Sequence, residues 1–405
     1  MAGGTRRTRL GDDWDESVTE ARELMASGEL EEDSESIEQR SAALLNPRRI
    51  ITLALAVILM IIAVYVVFPK VVGVSTSLDT LRDVTWYWIV AAIGFLGLAF
   101  LSYTSLFQGV LGGQDPTDKA RQRLDVGASW QITMSGFAAT VLFSAAGAGG
   151  VALTYWALRK AGIPRRRAAC RMVAFMVLLY SVYLLSLVVF GTLLRSGVLH
   201  GDDPVGGTIV PAAIGGATLL LIGFVAFIPG DFERRFAAMR RRGGRAARIG
   251  VRLATAPATL ATGVRTAIAY VRHPTRSAAA LAGALGWWTG QIGILWASFH
   301  AYGVEVPLGV VVQAYFVGMV ANLAPSPAAG VGTVDAGLIG AFLLFGLPEG
   351  TVFPAILTSR LISIWLPLPL GIWGYVRLRR TVRRWEEEDR AAATIQNEVT
   401  AEAKR

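Results

Sequence analysis

The chain has 405 residues, of which 53% are apolar and only 17% charged, whereas a soluble domain carries roughly 25% charge. The net charge is +9 and Cys170 is the single cysteine, which excludes an intrachain disulfide and a cysteine metal cluster. Three scattered histidines (His200, His273, His300) lack metal-ligand spacing, and neither a GxxxxGK[ST] loop nor a GxSxG elbow occurs, so no metal, no cofactor and no catalytic residue is expected.

In chain order, residues 1–46 are polar and acidic and read as a disordered, solvated cytoplasmic tail. Residues 1–49 hold seven Lys/Arg and twelve Asp/Glu, so the remainder carries +14. No cleavable signal peptide is visible there, which leaves the first apolar run to act as the targeting signal. Apolar runs of about 18 or more residues read as spanning helices. Six are expected, at about 50–68, 86–111, 169–194, 208–229, 278–299 and 351–375. Trp86, Tyr87, Trp88, Trp373 and Tyr375 lie at the ends of two of them, where aromatic rings favour the headgroup level.

Loop charge sets direction, because Lys/Arg-rich loops stay cytoplasmic. Arg48 and Arg49, the basic stretches 112–125 and 159–171, the connection 230–277 with eleven Arg and two acids, and Arg377 to Arg384 all mark that side. The loop 195–207, with Asp202 and Asp203, faces out. The expectation is a multi-pass protein of the inner cell membrane with both termini cytoplasmic, a transmembrane domain over 47–380 and a C-terminal tail over 381–405. The basic surplus lies beside spans, so its partner is expected to be anionic lipid and not nucleic acid.

Two apolar regions remain. Residues 126–158 begin and end at cytoplasmic flanks, and residues 306–346 begin and end at outer flanks. Neither turn, SAAGAGG at 144–150 or PSPAAGVG at 325–332, contains a charge. The returning arm 148–158 would rise only roughly 16 Å as a helix. Both regions read as re-entrant helical hairpins with buried turns; two ordinary helix pairs are the alternative, and charge parity does not separate them. The units 86–194 and 278–375 then share the order span, hairpin, span in opposite orientation. The expected fold class is an all-α polytopic membrane protein of six full spans plus two oppositely oriented re-entrant hairpins, an inverted-repeat architecture. Inverted repeats with Gly/Pro-interrupted helices place a site near the midplane of transporters, and broken backbone at that depth requires protein or a wet cavity beside it.

Two ionisable residues stand in apolar surroundings, Asp335 and Arg360. A charge within a span faces a cavity or a partner, so Arg360 is a candidate for an anionic headgroup, with Asp335 orienting it; a purely structural ion pair is the alternative. Gly147, Gly149, Gly150, Gly330 and Gly332 would let a headgroup approach backbone donors at half-helix starts, or would simply allow close helix packing. Gln108, Gln131, Gln291, Gln313 and Asn322 either line such a cavity or bond between helices.

The stretch NLAPSPAAGVGTVDAGLIGAFLLFGLP, residues 322–348, resembles the signature of the lysylphosphatidylglycerol synthase transmembrane family, a Pro-x-Pro-Gly-Gly-x-Gly turn followed by an acidic residue. Pro325, Pro327, Gly330, Gly332 and Asp335 fit its spacing. Asp335 replaces the usual glutamate, Ala328 and Ala329 fill the next positions, and the first turn lacks the usual proline and following arginine. The resemblance covers about 50–380. It implies a lipid-handling, flippase-like membrane domain that in full-length members moves an aminoacylated phospholipid and is fused to a soluble C-terminal synthase. This chain stops soon after the last span, so aminoacyl transfer is not expected and the protein is not expected to be an enzyme. The leading expectation is a translocator of an anionic phospholipid or a lipid-linked glycan. The alternative is a non-transporting scaffold that anchors or regulates a separate enzyme through its tail; a third reading is a transferase with Asp335 as base. A homo-oligomer or a separate synthase partner stays open.

Overall fold

The computed structural model describes residues 84–112, 119–142, 148–227, 260–273, 277–323, 330 and 332–403, all within the compact unit Val64–Arg405. The expected tail 1–46, the first span 50–68, most of the connection 230–277 and the turn residues Gly147, Pro325 and Pro327 lie outside them. In hydrocarbon a single segment satisfies its own backbone only as a helix, and every regular element among the described residues is helical.

The first repeat contains α1 (Trp86–Leu111), the short α2 (Lys119–Arg123), a hairpin of α3 (Val126–Leu142) and α4 (Ala148–Lys160), and α5 (Arg165–Arg195). Next comes α6 (Ile209–Ala226). The second repeat contains α7 (Ala278–Ala301), a hairpin of α8 (Leu308–Met319) and α9 (Thr333–Leu344), then α10 (Glu349–Arg360), a π-helical turn (Leu361–Trp365) and α11 (Leu368–Glu402). Among the described residues, α1, α5, α6, α7 and the α10–α11 run are long and apolar enough to cross a membrane. The protein is thus an all-helical, multi-pass membrane protein. The hairpin arms have 17, 13, 12 and 12 residues. At about 1.5 Å per residue each rises about 18–26 Å, short of the roughly 30 Å hydrocarbon core.

Three helix junctions use one device. Gly162, Gly303 and Gly346 take positive φ at the ends of α4, α7 and α9, and the following residue returns its N–H to a carbonyl five residues back, as in Ile163 to Leu158. Pro164, Pro307 and Pro348 then stand directly before α5, α8 and α10. Glycine supplies the left-handed cap, and proline cannot continue the preceding helix.

Lipid is as apolar as leucine, so small residues and polar bonds hold these helices together. The closest pair is α1 with α7, packed antiparallel along their length: Gly109 meets Ala280, Gly283 meets Leu106, and Gly290 meets Ala99. These are equivalent helices of the two repeats. Each hairpin closes on glycine, Gly150 against Gly136 and Gly337 against Gly318. The leading arm of each hairpin then packs on the last helix of the other repeat. Gly371 and Gly374 of α11 lie on Met134 of α3, and Tyr183 of α5 donates to the Phe316 carbonyl of α8 at 2.7 Å. The exchange repeats in both halves. By contrast α6 buries only Ala212 and Gly215 in its length and leaves Leu220 and Phe224 exposed, as a lipid-facing helix should.

A polar clasp ties the C-terminal helix to the base of the first hairpin. Arg123 is buried and donates to Asp389 at 2.8 and 2.9 Å and to the Trp385 carbonyl at 2.9 Å. Lys119 also reaches Asp389, at 2.7 Å, and Lys160 reaches Glu386 at 2.8 Å. The hydrogen bonds from Arg123 and Lys119 hold the Asp389 carboxyl down at about 2. A depressed carboxyl contributes stability above its unfolded value and loses it as pH falls. The clasp is therefore complete at neutral pH and loosens between about pH 4 and pH 2. Asp389 is half-exposed, so salt screens the effect and keeps it small. Hydrogen exchange of residues 378–396 should rise across that window in wild type; in Asp389→Asn it should already be raised at neutral pH.

Candidate functional site

Asp335 and Arg360, 25 residues apart, meet where α9 begins and α10 ends. Asp335 is the third residue of α9, and its Oδ2 accepts the Gly332 N–H at 3.0 Å. An acidic side chain there caps the helix and suits its dipole. Arg360 closes α10, the end that favours a cation, and its Nε donates to Asp335 Oδ1 at 2.5 Å. Each residue is 9% exposed. Gly330 and Gly332 enter α9 with φ of 87° and 88°, a backbone that side chains with a Cβ rarely adopt. The π-helical turn begins directly after Arg360; such bulges frequently accompany functional sites.

Arg360 stands on the wall of a cavity of about 510 Å³, within the range of roughly 300–1,000 Å³ usual for small-molecule sites. Both repeats build it. The first hairpin contributes Thr133, Gly136, Thr140, Gly150 and Thr154, and the second Asn322, Gly330 and Val334. Tyr103, Tyr180, Trp287, Trp288, Gln291 and Tyr315 add aromatic and amide surface, and Ser363 follows from the π-helical turn. Two buried polar atoms of wall residues lack a hydrogen-bond partner, Arg360 Nη2 and Thr133 Oγ1. A buried polar atom left without a partner is costly.

The residues singled out from sequence divide accordingly. Arg360, Gly150 and Gly330 share the cavity wall. Asp335 lies behind Arg360 and holds it, and Gly332 serves Asp335 through its N–H. Gly149 sits in the first turn of α4, beside the wall residue Gly150. Gly147, Pro325 and Pro327 are not among the described residues. Of the amides, Gln291 and Asn322 line the cavity. Gln131 instead accepts from Thr381 at 2.9 Å, and Gln313 donates to the Gly207 carbonyl at 2.9 Å, fastening segments together. Sequence reading missed the threonines. Their signal was present, since Thr133, Gly136 and Thr140 recur at intervals of three and four and so share one face of α3. Among the described residues no group of His, Cys, Asp and Glu could hold a metal ion.

No curated protein matches the chain. The family described as the lysylphosphatidylglycerol synthase TM region matches residues 50–371, the greater part of the 405 residues, and the chain belongs to that family.

Proposed function

We propose that the protein is a translocator rather than an enzyme, and that it carries the anionic headgroup of a lipid across the cell membrane through the cavity between its two repeats. The observation that carries this reading is one cavity shared by both repeats, on whose wall a buried guanidinium keeps an unsatisfied donor. The returning arms α4 and α9 both begin beside it, through Gly150 and through Gly330 and Val334. Helix N-termini attract anions, and half-helix starts at a shared site suit alternating access. Arg360 is paired, so a phosphate meets directed hydrogen bonds more than net charge. Modest, reversible binding of that kind suits release on the far side. Proteoliposomes holding a fluorescent anionic lipid test the proposal. Wild type should expose the inner-leaflet pool to an impermeant quencher faster than empty vesicles, and equal rates would sink it.

The short hairpin arms support turns that stay at membrane depth, and the basic loops support both termini on the cytoplasmic side. Cysteines placed at Ser144 and Ser326 in a Cys170→Ser background should resist impermeant maleimides on the far side of each hairpin, Ser144→Cys from outside and Ser326→Cys from the cytoplasm. Labelling of Ser144→Cys only from outside and of Ser326→Cys only from the cytoplasm, at the rate of open loops, would establish full spans instead.

A further inference from the structure

The cavity has a second property besides its arginine, and it concerns which anionic headgroup fits. The lining contains a guanidinium, hydroxyls and amides, but no carboxylate among the described residues. Asp335, the nearby acid, is spent: Oδ1 takes the Arg360 Nε–H and Oδ2 takes the Gly332 N–H. An ammonium group entering here would give up water with no carboxylate to receive it, beside a like-charged guanidinium.

Aromatic faces are the other way to hold an amine, and the two indoles of the lining pack on other rings. Trp287 packs against Tyr103 at 4.8 Å and Phe100 at 5.8 Å between ring centroids. Trp288 packs against Phe316 at 5.3 Å and Tyr183 at 5.6 Å, and its indole N–H is committed to the Leu179 carbonyl.

Hydroxyl groups are what the rest of the wall can recognise. Thr133 Oγ1 is buried and unpartnered. Thr140 donates to the Gly136 carbonyl at 2.9 Å, so its oxygen remains an acceptor. Gln291 and Asn322 can donate and accept.

We infer that the site selects a phosphodiester headgroup bearing free hydroxyls and no amine, a glycerol or a sugar, with the phosphate at Arg360 and the hydroxyls toward Thr133 and the amides. This rests on the translocator reading, since it names the cargo of the same cavity. The probe is native mass spectrometry of the purified full chain with short-chain phosphatidylglycerol, phosphatidylinositol, phosphatidic acid and phosphatidylethanolamine in equal amounts.

Phosphatidylglycerol or phosphatidylinositol should be retained about fivefold above phosphatidic acid, the worth of one net hydrogen bond, and further above phosphatidylethanolamine. Whichever of the two leads identifies a glycerol or a ring as the cargo. Thr133→Val strands no partner, because Thr133 has none, and should bring the preference over phosphatidic acid close to unity. Equal retention of the phosphatidic acid and hydroxyl-bearing lipids, all lost in Arg360→Ala, overturns the hydroxyl inference and leaves the anion reading standing. Phosphatidylethanolamine held as well as phosphatidylglycerol also overturns it, as does a preference unmoved by Thr133→Val. Retention indifferent to Arg360→Ala overturns both.

Discussion

Arg360→Ala is expected to abolish lipid retention and transport and also to lower the melting temperature, and the two losses have different causes. The first removes the donor on the cavity wall. A charge-assisted hydrogen bond contributes about 1.5–3 kcal/mol, so headgroup affinity should fall by at least about tenfold. The second arises behind the wall, where Asp335, 9% exposed, loses the Arg360 guanidinium. Removing one partner of a buried pair costs about 3–5 kcal/mol, because a buried charge is stranded. Arg360→Gln combined with Asp335→Asn separates them. The double variant removes both charges, so it should recover much of the melting temperature while leaving retention and transport lost. Arg360→Lys keeps a cation but not the planar fork that can hold Asp335 and a phosphate together, so it should melt nearer to wild type than Arg360→Ala and still bind poorly. Thermal melts in detergent, read beside lipid retention, decide the matter. If the double variant transports normally, the pair is only a structural lock.

The fold was largely legible from the sequence and the site only in part. Apolar runs at 86–111, 169–194, 208–229, 278–299 and 351–375 coincide with long helices, because in a membrane length and polarity leave a helix few alternatives. Asp335 and Arg360 were legible for the same reason, as charges in apolar surroundings, although only the folded chain pairs them. The rest of the wall was not. Tyr103, Thr133, Tyr180 and Trp287 come from four different helices, and each alone reads as an ordinary core or interface residue. The clasp was hidden for another reason. Arg123 and Asp389 are 266 positions apart, and Arg123 sits in a basic stretch whose evident role is to set topology. The exchange of hairpins between repeats was equally invisible, since small residues mark every interface in such a protein without naming their partners.

Gly283→Leu should damage the protein more than any cavity substitution outside Arg360, because it strikes where the two repeats are joined. A Cβ at Gly283 would lie 2.5 Å from the Leu106 backbone nitrogen and 2.5 Å from the Ser102 carbonyl oxygen of α1. Both are backbone atoms, so no rotamer change relieves the clash and the helices must separate. Separation also pulls apart Gly290 from Ala99 and Gly109 from Ala280, farther along the same antiparallel seam. Oversized core residues commonly cost about 1–3 kcal/mol and occasionally more; with backbone on the receiving side the upper end or beyond is expected. The control lies on α1 away from the seam. A Cβ added at Gly97 would meet nothing within 4 Å, so Gly97→Ala should be neutral or raise the melting temperature, given alanine's advantage of about 1 kcal/mol inside a helix. If Gly283→Leu melts like wild type, α1 and α7 are free to separate or slide, and the seam is not what holds the two halves together. If it fails to fold while Gly97→Ala is unharmed, the seam is the join on which the fold depends.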